Sequence, residues 1–338
     1  MRLVSYRLGR CVRAALVSQE DWVVDVAAAC EFAQRRAALR CSLLLPPTML
    51  QLLEQWEVAY TELRRLQEWC AGREELLHSE GIAFSMKEVV LEAPLQPRSV
   101  RDGYAFRQHV ESARRSRGLP MIPEYDLFPV FYFSNHQAVT GPGPVFVQHH
   151  HLERLDFELE CAVVIGRAAK NLPASLADRC IAGFMVMNDW SARELQSQEM
   201  KLNLGPAKGK DFATSLGPYL VTPDELADRT ILTPEGNQYD LQMTARLNGE
   251  QISQDTLRNM TWTFAQILER ASYGVWLYPG DVIGSGTCGT GCLLELNGTG
   301  IFSPPRWLRS GDTVELTIER LGTLRNTVVL AEGESVVL

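Results

Sequence analysis

Leu155-Asp156-Phe157-Glu158-Leu159-Glu160-Cys161-Ala162-Val163-Val164-Ile165-Gly166 alternates acidic and apolar side chains, then runs into an unbroken apolar tract. A strand turns successive side chains to opposite faces, so Glu158 and Glu160 point the same way while Phe157 and Leu159 pack behind them. Two carboxylates on one face repel each other, and desolvating them is costly unless a cation or a proton compensates. A hard divalent cation with oxygen ligands is the simplest answer. Outward from this stretch lie two further polar segments, Met187-Asn188-Asp189-Trp190-Ser191-Ala192-Arg193 and Gly209-Lys210-Asp211-Phe212-Ala213-Thr214.

The chain has 338 residues, enough for one large domain with a smaller appendage. A net charge of −8 and a pI near 5.4 argue against nucleic acid or an anionic membrane as the main partner. The eight cysteines are scattered through apolar runs without zinc spacing, and read as reduced core residues. Cys288 and Cys292 are four apart, the wrong spacing for a metal pair. No apolar tract of about 18 residues occurs, and the opening residues lack a secretory apolar segment, so a cytoplasmic location is expected.

Residues 1–92 read as a small α+β domain: short strands to Val26, a helix from Val26 to Arg40, and a longer one from Thr48 to Cys70. Residues 93–338 read as a mainly β catalytic domain, a mixed roll or sandwich, because many short strands follow with few helices between them. Arg101 to Val110 mixes an acid, a tyrosine and a histidine; a helix from near Tyr104 would carry His109 on its second turn. Bland readings exist there, Asp102 as a helix cap and His109 as a satisfied surface histidine. His149-His150-His151 cannot all face one ion, and reads as a polar loop. Leu241 to Ile252 predicts a hairpin turning at Asn248-Gly249, Ser253 to Ala271 a helix, and Cys292 to Gly298 a strand.

Among residues that could do chemistry are four acids (Asp102, Glu158, Glu160, Asp189), Lys210 in a glycine-flanked loop, and His109. A carboxylate-held metal acts as a Lewis acid and a template for an oxygen-rich substrate. No nucleophile elbow, phosphate loop or H-E-x-x-H motif competes. Metal-assisted hydrolase, lyase or hydratase chemistry on a carbonyl compound and a purely structural acidic strand both stay open on these residues alone.

Asp156 to Glu160, the NDWSAR run of Asn188 to Arg193, GKDFATSLGP from Gly209, and SGTCGTGCLLELNG from Ser285 resemble, in order and spacing, the fumarylacetoacetate hydrolase family. The likeness spans about Pro94 to the C-terminus. It implies that Asp102, Glu158, Glu160 and Asp189 hold a divalent metal, Mg2+ first, with Ca2+ or Mn2+ as alternatives, and that Lys210 and Thr214 join that site. It implies His109 as the base oriented by Glu295, Lys210 and Gln196 as stabilisers of a departing enolate, and Tyr104, Tyr132, Gln196 and Thr287 as substrate contacts. Gly103 stands where the family usually has an aromatic residue and Met200 where fumarylacetoacetases have a tyrosine; the family's arginine after the histidine has Arg117 as its nearest counterpart. The implied reaction is metal-dependent hydrolysis of a carbon–carbon bond in a β-diketone acid, fumarylacetoacetate or an acylpyruvate, in aromatic amino acid catabolism. Isomerase, decarboxylase or hydratase activity on 2-oxo acids, or a non-catalytic metal-binding role, is the alternative. A small oxo-acid substrate, a homodimer and a lid formed by residues 111–126 complete the expectation.

Overall fold

The computed structural model describes residues 1–19, 21–36, 42–115 and 118–331. Its centre is the strand Leu159–Ile165, buried throughout, flanked by Ile181–Asp189 on one side and Asp281–Gly284 on the other. Complete burial explains why this segment reads as an apolar tract rather than an alternating one. The large sheet continues outward from Asp281–Gly284 through Ser99–Gly103 to Phe131–Ser134. In the other direction it passes through Thr214–Val221 into the N-terminal strands Arg2–Leu8, Cys11–Ser18, Trp22–Asp25 and Ala83–Ser85. The N-terminal part therefore extends the large sheet, with Leu3 opposite Leu220.

The two faces of the central strand bury against different partners, as its period of two requires. Leu159, Cys161, Val163 and Ile165 pack in one core with Met243, Leu247, Val314 and Leu316 of a five-stranded second sheet. Ala162 and Val164 pack on the other face with Leu52, Leu63 and Leu66 of the N-terminal helices Met49–Glu54 and Trp56–Cys70. The result is the expected α+β, mainly β architecture: two packed sheets with helices covering the outer face of the larger one.

Several local expectations change. The Thr48 to Cys70 segment is broken at Gln55 into two helices. The Val26 helix ends at Arg35 within the described residues, and the rest of its predicted span, 37–40, lies outside them. Ser253 to Ala271 is not one helix: the hairpin strand runs on to Thr256, opposite Gln242, and the helix is Phe264–Ser272. Thr263 and Gln266 form a reciprocal capping box that fixes that start. The hairpin turn is as expected, with Asn248 and Gly249 both at positive φ. Leu293–Gly298 is a helix, not a strand, and His149–Leu152 is a helical turn rather than a loop.

Candidate metal-centred active site

Four neighbouring strands end at one place. Asp102 is the last but one residue of Ser99–Gly103, Glu160 stands near the start of Leu159–Ile165, Asp189 ends Ile181–Asp189, and Gly284 ends Asp281–Gly284. Each shares its strand face with Val100, Ala162, Met187 and Val282 of the helix-side core, so register alone brings the acids together. Asp102, Glu158, Glu160 and Asp189 each offer an oxygen within 4.8 Å of the others, and all are buried. Beside them Gly284 keeps its Cα bare: a Cβ there would lie 2.6 Å from Asp102 Oδ1 and 2.8 Å from Glu160 Oε2.

The charge balance of this cluster is incomplete. Lys210 donates to Glu158 and, at 2.5 Å, to Asp189 Oδ2, and Arg193 Nη2 donates to Glu158 Oε1 at 2.7 Å. Burial pushes Glu158 up, but Lys210 and Arg193 outweigh it and hold the carboxyl well below its usual range. Burial, and then the neighbouring Asp102, push Glu160 well above its ordinary value. Burial pushes Asp189 up to about 7 despite Lys210, and its Oδ1 has no hydrogen-bond partner among the described residues. Hard oxygen donors, a surplus of buried negative charge and an orphaned carboxylate oxygen fit a divalent cation.

Lys210 is placed as a counter-ion and not as a ligand. Burial acts against its charge, but Asp189 and Glu158 hold the ammonium above its ordinary value, and a protonated amine has no lone pair to give. Thr214 lies opposite Asp189 on the next strand, and its buried hydroxyl has no hydrogen-bond partner among the described residues. Tyr132 donates its hydroxyl to Asp189 Oδ2, and Thr287 Oγ1 lies 3.4 Å from Glu160 Oε1.

His109 sits on the first turn of Arg107–Arg115, not the second turn of a helix begun at Tyr104. It is buried, with Nδ1 3.1 Å from Glu295 Oε2. Burial would raise Glu295, but the hydrogen bond and charge of His109 hold it below the usual value, so it stays ionised. An ionised acceptor on Nδ1 fixes the tautomer that leaves Nε2 free to exchange a proton. Tyr104 meets the imidazole edge-on, with ring centroids 6.0 Å apart. Asp102, Tyr104, His109, Tyr132, Glu158, Gln196, Lys210 and Thr287 all open into one cavity of about 750 Å³. Arg117 lies outside the described residues.

Two groups escaped sequence reasoning. Asp156 is fully buried and accepts from Leu293 N at 2.7 Å, Leu294 N at 3.0 Å and Arg193 Nε at 2.9 Å. It therefore caps the helix that carries Glu295 and also holds Arg193, which in turn reaches Gln196 Oε1 at 3.1 Å. The signal was present in the alternation of Asp156, Glu158 and Glu160, but partners more than thirty residues away were not. The histidine run plays no part: His151 stacks on Phe212 and His150 faces Glu153.

Residues 98–329 match the family profile described as the fumarylacetoacetate (FAA) hydrolase C-terminal region. The oxaloacetate tautomerase YisK of Bacillus subtilis is 29% identical over 290 residues, covering 84% of this chain and 87% of the relative. The mitochondrial oxaloacetate tautomerase FAHD2A of Homo sapiens is 31% identical over 288 residues, covering 84% and 81%. Among solved structures, a putative HpcE protein from Mycobacterium smegmatis superposes with a TM-score of 0.68 at 27% identity, covering 98% of this chain and all of that one. No helix among the described residues is long and apolar enough to cross a membrane.

Proposed function

The chain belongs to the fumarylacetoacetate hydrolase family, and on that premise we propose that it is a divalent-metal-dependent enzyme that interconverts the enol and keto forms of a 2-oxo acid, with oxaloacetate as its reference substrate. This departs from the hydrolase first expected. The relatives named as oxaloacetate tautomerases span most of both chains and support the change. The observation that carries the reading is His109, backed by Glu295, opening into the same cavity as Asp102 and Glu158 of the four-carboxylate cluster.

Tautomerisation moves one proton between carbon 3 and the 2-oxygen, so it needs a base at carbon and charge stabilisation at oxygen. Asp102, Glu158, Glu160 and Asp189 would hold the cation, which when bound supplies Lewis-acid polarisation of the 2-oxo oxygen. His109 Nε2 takes or gives the carbon proton. Glu295, kept ionised beside Nδ1, stabilises the imidazolium that forms between the two transfers. Lys210 stays protonated and contributes positive charge beside the developing enolate, while Gln196, held by Arg193, supplies its amide for hydrogen bonding.

The test is the loss of enol absorbance when freshly dissolved enol-oxaloacetate meets the enzyme and Mg2+. Acceleration over buffer that disappears in His109→Ala supports the reading; an unchanged rate rejects it. A second reading, hydrolysis of an acylpyruvate, is favoured by the same His109–Glu295 pair, since it could equally prime a water molecule. Pyruvate release from acetylpyruvate distinguishes the two.

A further inference from the structure

The cavity is much larger than the reference substrate. A four-carbon oxo diacid has nine non-hydrogen atoms, and even at the liquid-water share of roughly 30 Å³ per atom it would occupy about 270 Å³. The cavity measures about 750 Å³. Val130, Phe131, Met200, Leu294, Pro305 and Trp307 line the same cavity and wall what we call its outer chamber. Val130 and Met200 remain 43% and 45% exposed, apolar surface left open inside a concave site.

The cavity lining is more apolar than polar, its neutral polar side chains including Gln196, Ser197 and Asn297. One of its two guanidiniums among the described residues is Arg154, which has a counter-ion already: its Nη1 lies 3.6 Å from Glu194 Oε2. Arg193, the other guanidinium of the cavity, is spent on Asp156 and Glu158. Among the described residues that line the cavity, the buried cations Arg193 and Lys210 are paired and Arg154 is half exposed, so a second substrate carboxylate set against the apolar walls finds no unpaired buried cation and would be poorly solvated.

We propose that the outer chamber receives an apolar substituent on carbon 3, so that the preferred substrates are 2-oxo acids bearing an aryl or alkyl group of about six carbons. This rests on the 2-oxo acid reading above and names its substrate class. The shared end, a carboxylate beside a 2-oxo group, lies at the buried acids and His109. The variable end lies against Met200 and Trp307, and contributes affinity through burial of apolar surface alone.

Enolisation is read for every 2-oxo acid by proton NMR, as exchange of the carbon-3 hydrogens with D2O in the presence of enzyme and Mg2+. The probes are 2-oxobutanoate, 2-oxohexanoate and phenylpyruvate, with oxaloacetate enol absorbance run in parallel. The proposal expects kcat/KM to rise about fourfold per added methylene along the alkyl pair and phenylpyruvate to exceed oxaloacetate at least tenfold. Met200→Trp, which fills the outer chamber, is expected to cost phenylpyruvate at least ten times what it costs oxaloacetate. Turnover of oxaloacetate with no gain from the apolar acids overturns the proposal and leaves the tautomerase reading standing. Turnover of none of the four acids overturns both.

Discussion

The Nδ1 atom of His109 lies 3.1 Å from Oε2 of Glu295, across 186 residues of sequence. Both are buried, and the carboxylate is held ionised chiefly by the imidazole against the opposing effect of burial. Glu295→Gln keeps the shape and removes the charge that supports the imidazolium. We expect kcat on enol-oxaloacetate to fall about a hundredfold with little change in KM, and calorimetric Mg2+ affinity to stay at the wild-type value. A loss under about threefold would mean that Glu295 does not support the imidazolium in the reaction.

Asp156 has a different task, because it touches backbone and guanidinium rather than cavity. It anchors Arg193, and through Arg193 both Glu158 and Gln196. Asp156→Asn retains one acceptor oxygen and turns an amide donor toward groups that are themselves donors. Breaking one partner of a buried pair costs about 3 kcal/mol or more, expected here as a lower midpoint in urea unfolding at unchanged slope. A shift below about 1 kcal/mol would show that the helix bearing Glu295 is held by its packing alone.

The acid cluster links stability, pH and metal. Asp189 is raised by burial from its ordinary value to about 7, so the unfolded chain releases its proton at lower pH than the folded one. Such a group adds stability that is complete below the unfolded pKa and is lost as pH rises through the folded one. The metal-free protein should therefore lose thermal stability between about pH 5.5 and about pH 8, and saturating Mg2+ should recover a few degrees more at the higher pH than at the lower. Calorimetric melting with chelator and with Mg2+ at both pH values reads this directly. An equal Mg2+ increment at both would dissociate the cation from these carboxylates.

Much of this site was legible because strand periodicity is local. Glu158 and Glu160, two apart with Phe157 and Leu159 behind, announced a polar face on a buried strand, and both apolar residues lie in the core as that pattern requires. The sheet order that brings Asp102 and Asp189 to the same point is not local, and only the resemblance of motifs supplied it. Glu295 shows the opposite failure. Leu293 to Leu296 reads as a strand by composition, yet Asp156 accepts the Leu293 and Leu294 amides and caps a helix there. A partner 137 residues away decided the conformation. The segment after Ser253 misled for a related reason: its apolar residues do enter the core, but from a strand, a turn and a short helix in succession.

Gly284 gives the most direct test of where a cation sits. Its backbone is paired on both sides, with Ala162 on one strand and Asp102 on the other, so the strand cannot retreat. A methyl group there would press on Asp102 Oδ1 and Glu160 Oε2 at 2.6 and 2.8 Å, and those side-chain oxygens, each accepting from Gly286 N, must yield before the paired backbone does. Displacing them separates donors that converge on one ion, while the core is touched only at the flexible end of Met187, whose Cε would lie 3.0 Å away. Gly284→Ala is thus expected to weaken Mg2+ binding at least tenfold by calorimetry, and to change metal-free stability by no more than about 1 kcal/mol in urea. Wild-type affinity in this variant would mean that Asp102 and Glu160 do not share a cation beside Gly284.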